Sequence, residues 1–228
     1  MRRLCFIALL LIAPRLQAGL GWGFQLGLAG TQFDLKAHPS SGSSSTNLFA
    51  LLAASNPVLP QADMSGGLGL NLHADYARIL EAQVELNWVE HNAKTIQDLG
   101  NGTKSVVQYS RDSSEGDLLL RLGYPFGFGP GWVLRPFGSV GTFGNRTLAA
   151  KRRSGLEGDS NVKETAWDGV PNEDWGFIMG GGFDFQIKGQ APRIGLEFRY
   201  LSGQKDLDPQ GTSEVKDRTY LGMLSFGF

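Results

Sequence analysis

Apolar side chains recur at every second position along most of this chain. In GWGFQLGLAG, Trp22, Phe24, Leu26 and Leu28 share one face, and Gly23, Gln25, Gly27 and Ala29 share the other. A period of two belongs to a β-strand, whose successive side chains point to opposite faces. The pattern returns as Leu68, Leu70, Leu72, Ala74 and Tyr76, and again as Leu80, Ala82, Val84, Leu86 and Trp88 opposite Glu81, Gln83, Glu85 and Asn87. Leu118, Leu120, Leu122 and Tyr124 form a fourth stripe opposite Leu119, Arg121 and Gly123. The parity of WVLRPFGSVGTF is less regular; Leu134 and Val140 are assigned to its apolar face, Arg135 and Ser139 to the other. Trp175, Phe177, Met179, Phe183, Phe185 and Ile187 make the longest stripe, opposite Gly176, Gly180, Gly182, Asp184 and Gln186. Ile194, Leu196, Phe198 and Tyr200 follow, opposite Gly195, Glu197 and Arg199, and RTYLGMLSFGF completes the set. About eight strands result, an even number of the kind that closes an antiparallel barrel.

The connections sort by length. Breaks near Arg78, from Pro125 to Gly131 and from Lys188 to Pro192 are short, whereas residues 32–66, 90–106, 144–173 and 202–217 are polar and read as long loops. Strict alternation of short and long connections fits a barrel with one rim in the periplasm and the other outside the cell. A soluble sandwich has no reason to sort its loops in this way.

Which face is wet decides the class. One face carries Leu, Phe, Trp and Tyr, each worth roughly 1.5–3 kcal/mol on leaving water. The other carries Glu, Asp, Arg, Gln, His and many glycines. Inside a narrow barrel, glycine leaves room for long charged side chains to meet across the lumen. Trp22, Tyr76, Trp88, Tyr124, Trp175, Tyr200 and Tyr220 fall near strand ends, where amphipathic rings favour the membrane interface.

Composition sharpens this picture. There are 32 glycines in 228 residues, with neither a collagen period nor a low-complexity block to account for them. Arg2 and Arg3 precede an apolar run from Cys5 to Ala13, followed by Pro14 and Ala18, so residues 1–18 are expected to be a signal peptide and 19–228 the barrel domain. The apolar run is too short for a spanning helix, and cleavage would remove Cys5, the one cysteine, and with it any disulfide or thiolate site. Net charge is −1 for the whole chain and more acidic once Arg2, Arg3 and Arg15 are removed, which excludes a nucleic-acid binder.

The last ten residues, TYLGMLSFGF, carry an apolar stripe to the final residue, where a soluble domain would fray. In a closed barrel the final strand pairs with the first, and lipid covers the stripe. On these residues the chain resembles the small outer-membrane β-barrel proteins, the group that includes OmpX, the membrane domain of OmpA and PorT-like barrels. The resemblance implies a bacterial outer-membrane location after export, a monomer in contact with outer-membrane lipid and lipopolysaccharide, and insertion by the barrel-assembly machinery. It also implies that Tyr220, Gly222, Leu224, Phe226 and Phe228 form the signal that this machinery reads.

Candidate chemistry lies in the lumen-facing set Glu81, Glu85, Arg121, Arg135, Asp184, Glu197 and Arg199. The plain reading is a salt-bridge network that fills a narrow interior; the other is a gated pore or ligand site. Similar numbers of both signs argue against strong ion selectivity. His73 with Asp75 is a candidate acid–base pair for a lipid-modifying enzyme, but it faces the lumen and has no matching Ser motif. His38 and His91 sit in or beside loops without ligand spacing, so neither a metal nor a cofactor is expected. Thr46 to Asn56 is an apolar loop segment that fits a short helix capping the barrel mouth or resting on lipid, and Lys151, Arg152 and Arg153 read as a solvated loop run. Asn101 and Asn145 open glycosylation-like triplets, irrelevant in a bacterial envelope. The expectation is a non-enzymatic barrel with a structural or surface-interaction role. A narrow porin-like channel is the alternative and a lipid A or phospholipid enzyme the third reading.

Overall fold

The alternating segments become long antiparallel strands of one sheet. In this computed structural model the described residues are 18–37, 60–76, 79–98, 103–128, 131–158, 162–167, 169–187, 193–207 and 213–228. The expected signal segment up to residue 17, His38, the apolar loop segment 46–56, Asn101 and the turns at Arg78 and 188–192 lie outside them. The strands are β1 (Ala18–Ala37), β2 (Pro60–Tyr76), β3 (Leu80–Asp98), β4 (Lys104–Gly123), β5 (Phe126–Phe128), β6 (Trp132–Leu156), β7 (Lys163–Ala166), β8 (Glu173–Ile187), β9 (Arg193–Gly203) and β10 (Ser213–Gly227).

Eight of these close a ring in the order β1-β2-β3-β4-β6-β8-β9-β10, with β10 returning to pair antiparallel with β1. The short strands β5 and β7 pair with opposite ends of β6, where they prolong the lines of β4 and β8. Each of these eight strands has an antiparallel partner on both sides, the condition for carrying backbone polar groups through lipid. Leu26↔Leu224 and Phe24↔Phe226 set the register of the seam, and Phe24 stacks on Phe226 with ring centroids 4.9 Å apart.

The outward face is the apolar one. Leu70, Leu86, Leu122 and Phe198 are each more than 60% exposed. Together with Leu26, Val84, Leu118, Phe177, Met179 and Leu196 they make a continuous belt, far larger than the apolar patches of soluble monomers. Trp22, Tyr76, Tyr124 and Trp132 border it near one rim, and Trp88, Trp175, Tyr200 and Tyr220 near the other. From Leu80 to Trp88, a rise of ~3.4 Å per residue and a tilt of ~40° give a belt about 21 Å tall, close to the thickness of an outer membrane's apolar band. The chain is a transmembrane β-barrel.

The long polar segments read as loops are in large part strand. Residues 90–98 and 104–106 pair as far as Asp98↔Lys104, and residues 144–156 continue β6 to Leu156. The seam likewise climbs to Ala37↔Ser213. Beyond the upper aromatic ring the outer face of the wall meets water instead of lipid, so the outward apolar stripe gives way to polar residues while the hydrogen-bonded ladder persists. A second small core holds these extensions together: Ala93, Val107, Tyr109, Leu207 and Val215 pack with Trp167, whose ring lies 4.6 Å from that of Tyr109. Lys151, Arg152 and Arg153 therefore stand on β6 rather than in a loop, and Lys151 and Arg153 pair with Glu164 of β7 at 2.9 and 2.8 Å. The neighbouring Arg152 turns to the face of Tyr109.

Candidate functional site

Inward-pointing residues build the interior row by row. Glu81 is fully buried and accepts from three arginines: Arg121 at 3.3 Å, Arg135 at 2.7 Å, and Arg193 at 2.7 and 3.1 Å. Arg135 also reaches Asp184 at 3.3 Å. Glu197 takes hydrogen bonds from Arg121, from Arg199 at 2.9 Å and from Ser139 at 2.8 Å. Above it, Arg199 donates to both oxygens of Glu85, which also accepts from Gln25 at 2.7 Å and Gln83 at 2.6 Å. The structure thus brings together all seven lumen residues expected from sequence, Glu81, Glu85, Arg121, Arg135, Asp184, Glu197 and Arg199, in one continuous network.

Glycines make this packing possible. A Cβ on Gly123 would lie 2.9 Å from Nε of Arg135 and 2.7 Å from the carbonyl of Pro136, and one on Gly195 would lie 2.8 Å from Oδ1 of Asp184. A Cβ on Gly69 would collide with Asn87. The inner face is therefore short of side-chain volume where the charged groups cross the lumen.

Sequence reasoning missed several members. Arg193, on the first position of β9, binds Glu81 and lies 3.5 Å from Asp75; its place at a strand end next to a proline hid its parity. Further apolar residues point inward: Val89, Phe143, Ile178, Leu201, Leu221 and Met223 form one buried cluster with Ala29 and Leu119, whose inward parity the sequence shows. The signal for them was local, because runs such as Leu118-Leu119-Leu120 and Phe177-Ile178-Met179 are apolar on both parities. Phe137 is a further inward ring, and the guanidinium of Arg121 lies 4.7 Å above it.

His91 is not isolated beside a loop. It is buried, with Nε2 3.0 Å from Ser113 Oγ, Nδ1 3.2 Å from Thr219 Oγ1, and Nδ1 3.4 Å from Asp217. Thr219 in turn donates to Asp217 at 2.8 Å and Arg111 donates to it at 2.6 Å, a second polar cluster above the apolar one. Polar and apolar layers alternate up the interior. The charge balance also departs from expectation: among the described residues the structure adds the carboxylates of Asp75, Glu115, Asp117, Asp174 and Asp217 against the guanidiniums of Arg111 and Arg193, an excess of acidic groups.

His73 points inward at the periplasmic mouth, with Nε2 4.0 Å from Asp75. It lines a cavity of 250 Å³ together with Asp75, Arg135, Asp184 and Arg193. Tyr220, Leu224 and Phe228 face outward and Gly222 and Phe226 are half-buried on the same face of β10. Among the described residues no group of three or more His, Cys, Asp or Glu side chains is arranged to hold a metal ion.

No protein-family profile and no curated protein matches the chain. Solved structures do. The outer membrane protein OprG from Pseudomonas aeruginosa is 15% identical with a TM-score of 0.49, over 92% of this chain and 96% of that one. Ail, the attachment invasion locus protein of Yersinia pestis, solved with the heparin analogue sucrose octasulfate, is 10% identical with a TM-score of 0.34, over 92% and 99%. Neisserial surface protein A is 11% identical with a TM-score of 0.36, over 91% and 97%.

Proposed function

We propose that this chain is a bacterial outer-membrane barrel with a closed interior, whose role is structural and interactional: it braces the envelope and presents its raised hairpins to a partner at the cell surface. The observation that carries this reading is the filled lumen. The Glu81–Arg121–Glu197–Arg199–Glu85 chain of charges occupies the lower half, and the Phe143–Ile178–Leu201–Leu221 cluster lies across the path above it. A conducting pore needs a continuous wet path. The walls that rise beyond the membrane, by contrast, expose polar side chains on a rigid ladder, a scaffold suited to recognition.

The chain works as a monomer, set in lipid and lipopolysaccharide, and reaches the membrane through the barrel-assembly machinery reading its last strand. Its role is not catalytic: His73 and Asp75 are too far apart for a strong hydrogen bond, and Asp75 is already held by Arg193 and Arg135. Planar-bilayer recordings of the refolded barrel test the reading. No openings are expected. Reproducible openings that change with Arg121→Ala or Glu85→Ala would replace it with a lumen pathway. Surface display is tested by Lys151→Cys: an impermeant maleimide should label this variant in intact cells, and absence of labelling on an inserted barrel would remove the interactional half of the proposal.

A further inference from the structure

The external half of the lumen holds more carboxylates than its arginines neutralise. Glu115, Asp117, Asp174 and Asp217 are all buried there, and the guanidiniums that reach them are those of Arg111 and, from the chain of charges below, Arg199. Arg199 is shared between Glu85, Glu197 and, at 3.5 Å, Asp117, and Arg111 is held by Asp217, which leaves Glu115 without a cation. Burying carboxylates without compensation is strongly unfavourable, so something positive must enter this region or the acids must give up their charge.

Open oxygens occur at several places in the interior, among them Gln25, Gln83 and Asp184, and one group of them lies on β4 and β6. Glu115 and Asp117 are two residues apart on β4 and therefore share its inward face, and Asn145 of β6 stands directly across from Glu115 in the ladder. Both carboxylate oxygens of Glu115, Oδ1 of Asp117, and both Oδ1 and Nδ2 of Asn145 have no hydrogen-bond partner in the protein. These side chains are 2%, 1% and 5% exposed. Buried polar atoms normally find partners, and here three side chains that adjoin in the β4–β6 ladder keep open ones, although the second oxygen of Asp117 accepts from Asn87 at 2.9 Å. Asp174, the ladder neighbour of Asn145 on β8, adds a further open oxygen at the edge of the group.

We propose that Glu115, Asp117 and Asn145 bind a hard divalent cation of the calcium class in the external half of the lumen. Carboxylate and amide oxygens are the donors such an ion selects, with water completing its six to eight ligands, and no soft nitrogen or sulfur ligand is needed. Two carboxylates and one amide are fewer acidic ligands than a high-affinity calcium site uses, so the site fills at the millimolar calcium of an outer-membrane surface rather than at trace levels. The ion would tie β4 to β6 at the level where the wall leaves the membrane.

Calcium titration of the refolded full-length barrel, followed by calorimetry and by the temperature at which heat-modifiable migration is lost, tests the assignment. One calcium ion per chain and a raised transition temperature are expected. Glu115→Gln should abolish both while retaining the folded gel form. Asn145→Asp, which adds a carboxylate at the same position, should tighten binding several-fold and so keeps the test informative if Glu115→Gln folds poorly. Glu164→Gln, on the outer hairpin, should bind as the parent does. Absence of heat and of a temperature shift at millimolar calcium, or binding unchanged in both Glu115→Gln and Asn145→Asp, would overturn the proposal and leave protons and water to satisfy the cluster. A magnesium titration gives the selectivity: equal response to both ions would also overturn the calcium-class assignment, since magnesium demands a tighter octahedral shell.

Discussion

Arg199 donates from Nη1 and Nη2 to the two oxygens of Glu85, each at 2.6 Å, and so joins β9 to β3 across the barrel. Both partners are fully shielded from solvent, and a two-pronged contact of this kind fixes orientation as well as charge. Removing one partner strands the other. Arg199→Met or Glu85→Gln should lower the free energy of unfolding by about 3–5 kcal/mol, and the double variant should recover much of that loss. Urea titration of the barrel in lipid vesicles measures all three; a double variant as weak as the worse single one would mean the pair does not act as a unit.

The seam between the first and last strands makes a second prediction. Trp22 and Phe228 exchange backbone hydrogen bonds of 3.1 and 2.7 Å, and their rings stack at 5.0 Å. Deletion of Phe228 removes all three contacts. The heat-modifiable, membrane-inserted fraction should fall several-fold, and undiminished yield would show that the seam closes without them.

Two glycines should respond in opposite directions to the same substitution. Gly69→Ala drives a methyl group into Asn87 and should destabilise the barrel. Gly144→Ala points outward, meets nothing within 4 Å, and should stabilise the strand by about 0.5–1 kcal/mol through lost chain entropy. The order of the two unfolding midpoints is the readout.

On the raised hairpin, Glu164 has its pKa lowered by hydrogen bonds from Lys151 and Arg153. A carboxylate whose folded pKa is depressed contributes stability above its unfolded pKa, near 4.5, and loses it as pH falls through the folded value. This pair is open to solvent, so screening leaves little to lose. Unfolding midpoints of the parent and Glu164→Gln should coincide from neutral pH to pH 5; a clear separation would mean that the hairpin is more tightly integrated than its exposure indicates.

How far the sequence could be read depended on what surrounds each stretch of wall. Where lipid covers one face and a polar lumen the other, as from Leu80 to Trp88, alternation is clean and the inward Glu81 and Glu85 are legible. Beyond Trp88 the outer face leaves lipid for water and the inner one mixes His91 with Ala93, so Glu90–Asp98 looks like a loop although it is strand. Inside, Ile178 and Leu201 defeat the rule differently, being apolar residues on a face otherwise reserved for charge. The partners Glu81 chooses could not be read either, because strand order and stagger decide which arginine stands opposite, and neither is written locally. His91 looked isolated for the same reason: its neighbours Ser113 and Thr219 come from β4 and β10.

Trp22 and Phe228 meet although nearly the whole described chain separates them. The loop they close spans the described strands between them, so the entropic cost of that contact is large until the intervening hairpins shorten it. The wall must assemble as an open, curling sheet with two unsatisfied edges, and it becomes watertight in a single final event. Until then the β1 and β10 edges are each a template for pairing with any strand nearby. The abundance of the folded barrel is then governed by the rate of that last closure as well as by the stability of the finished ring.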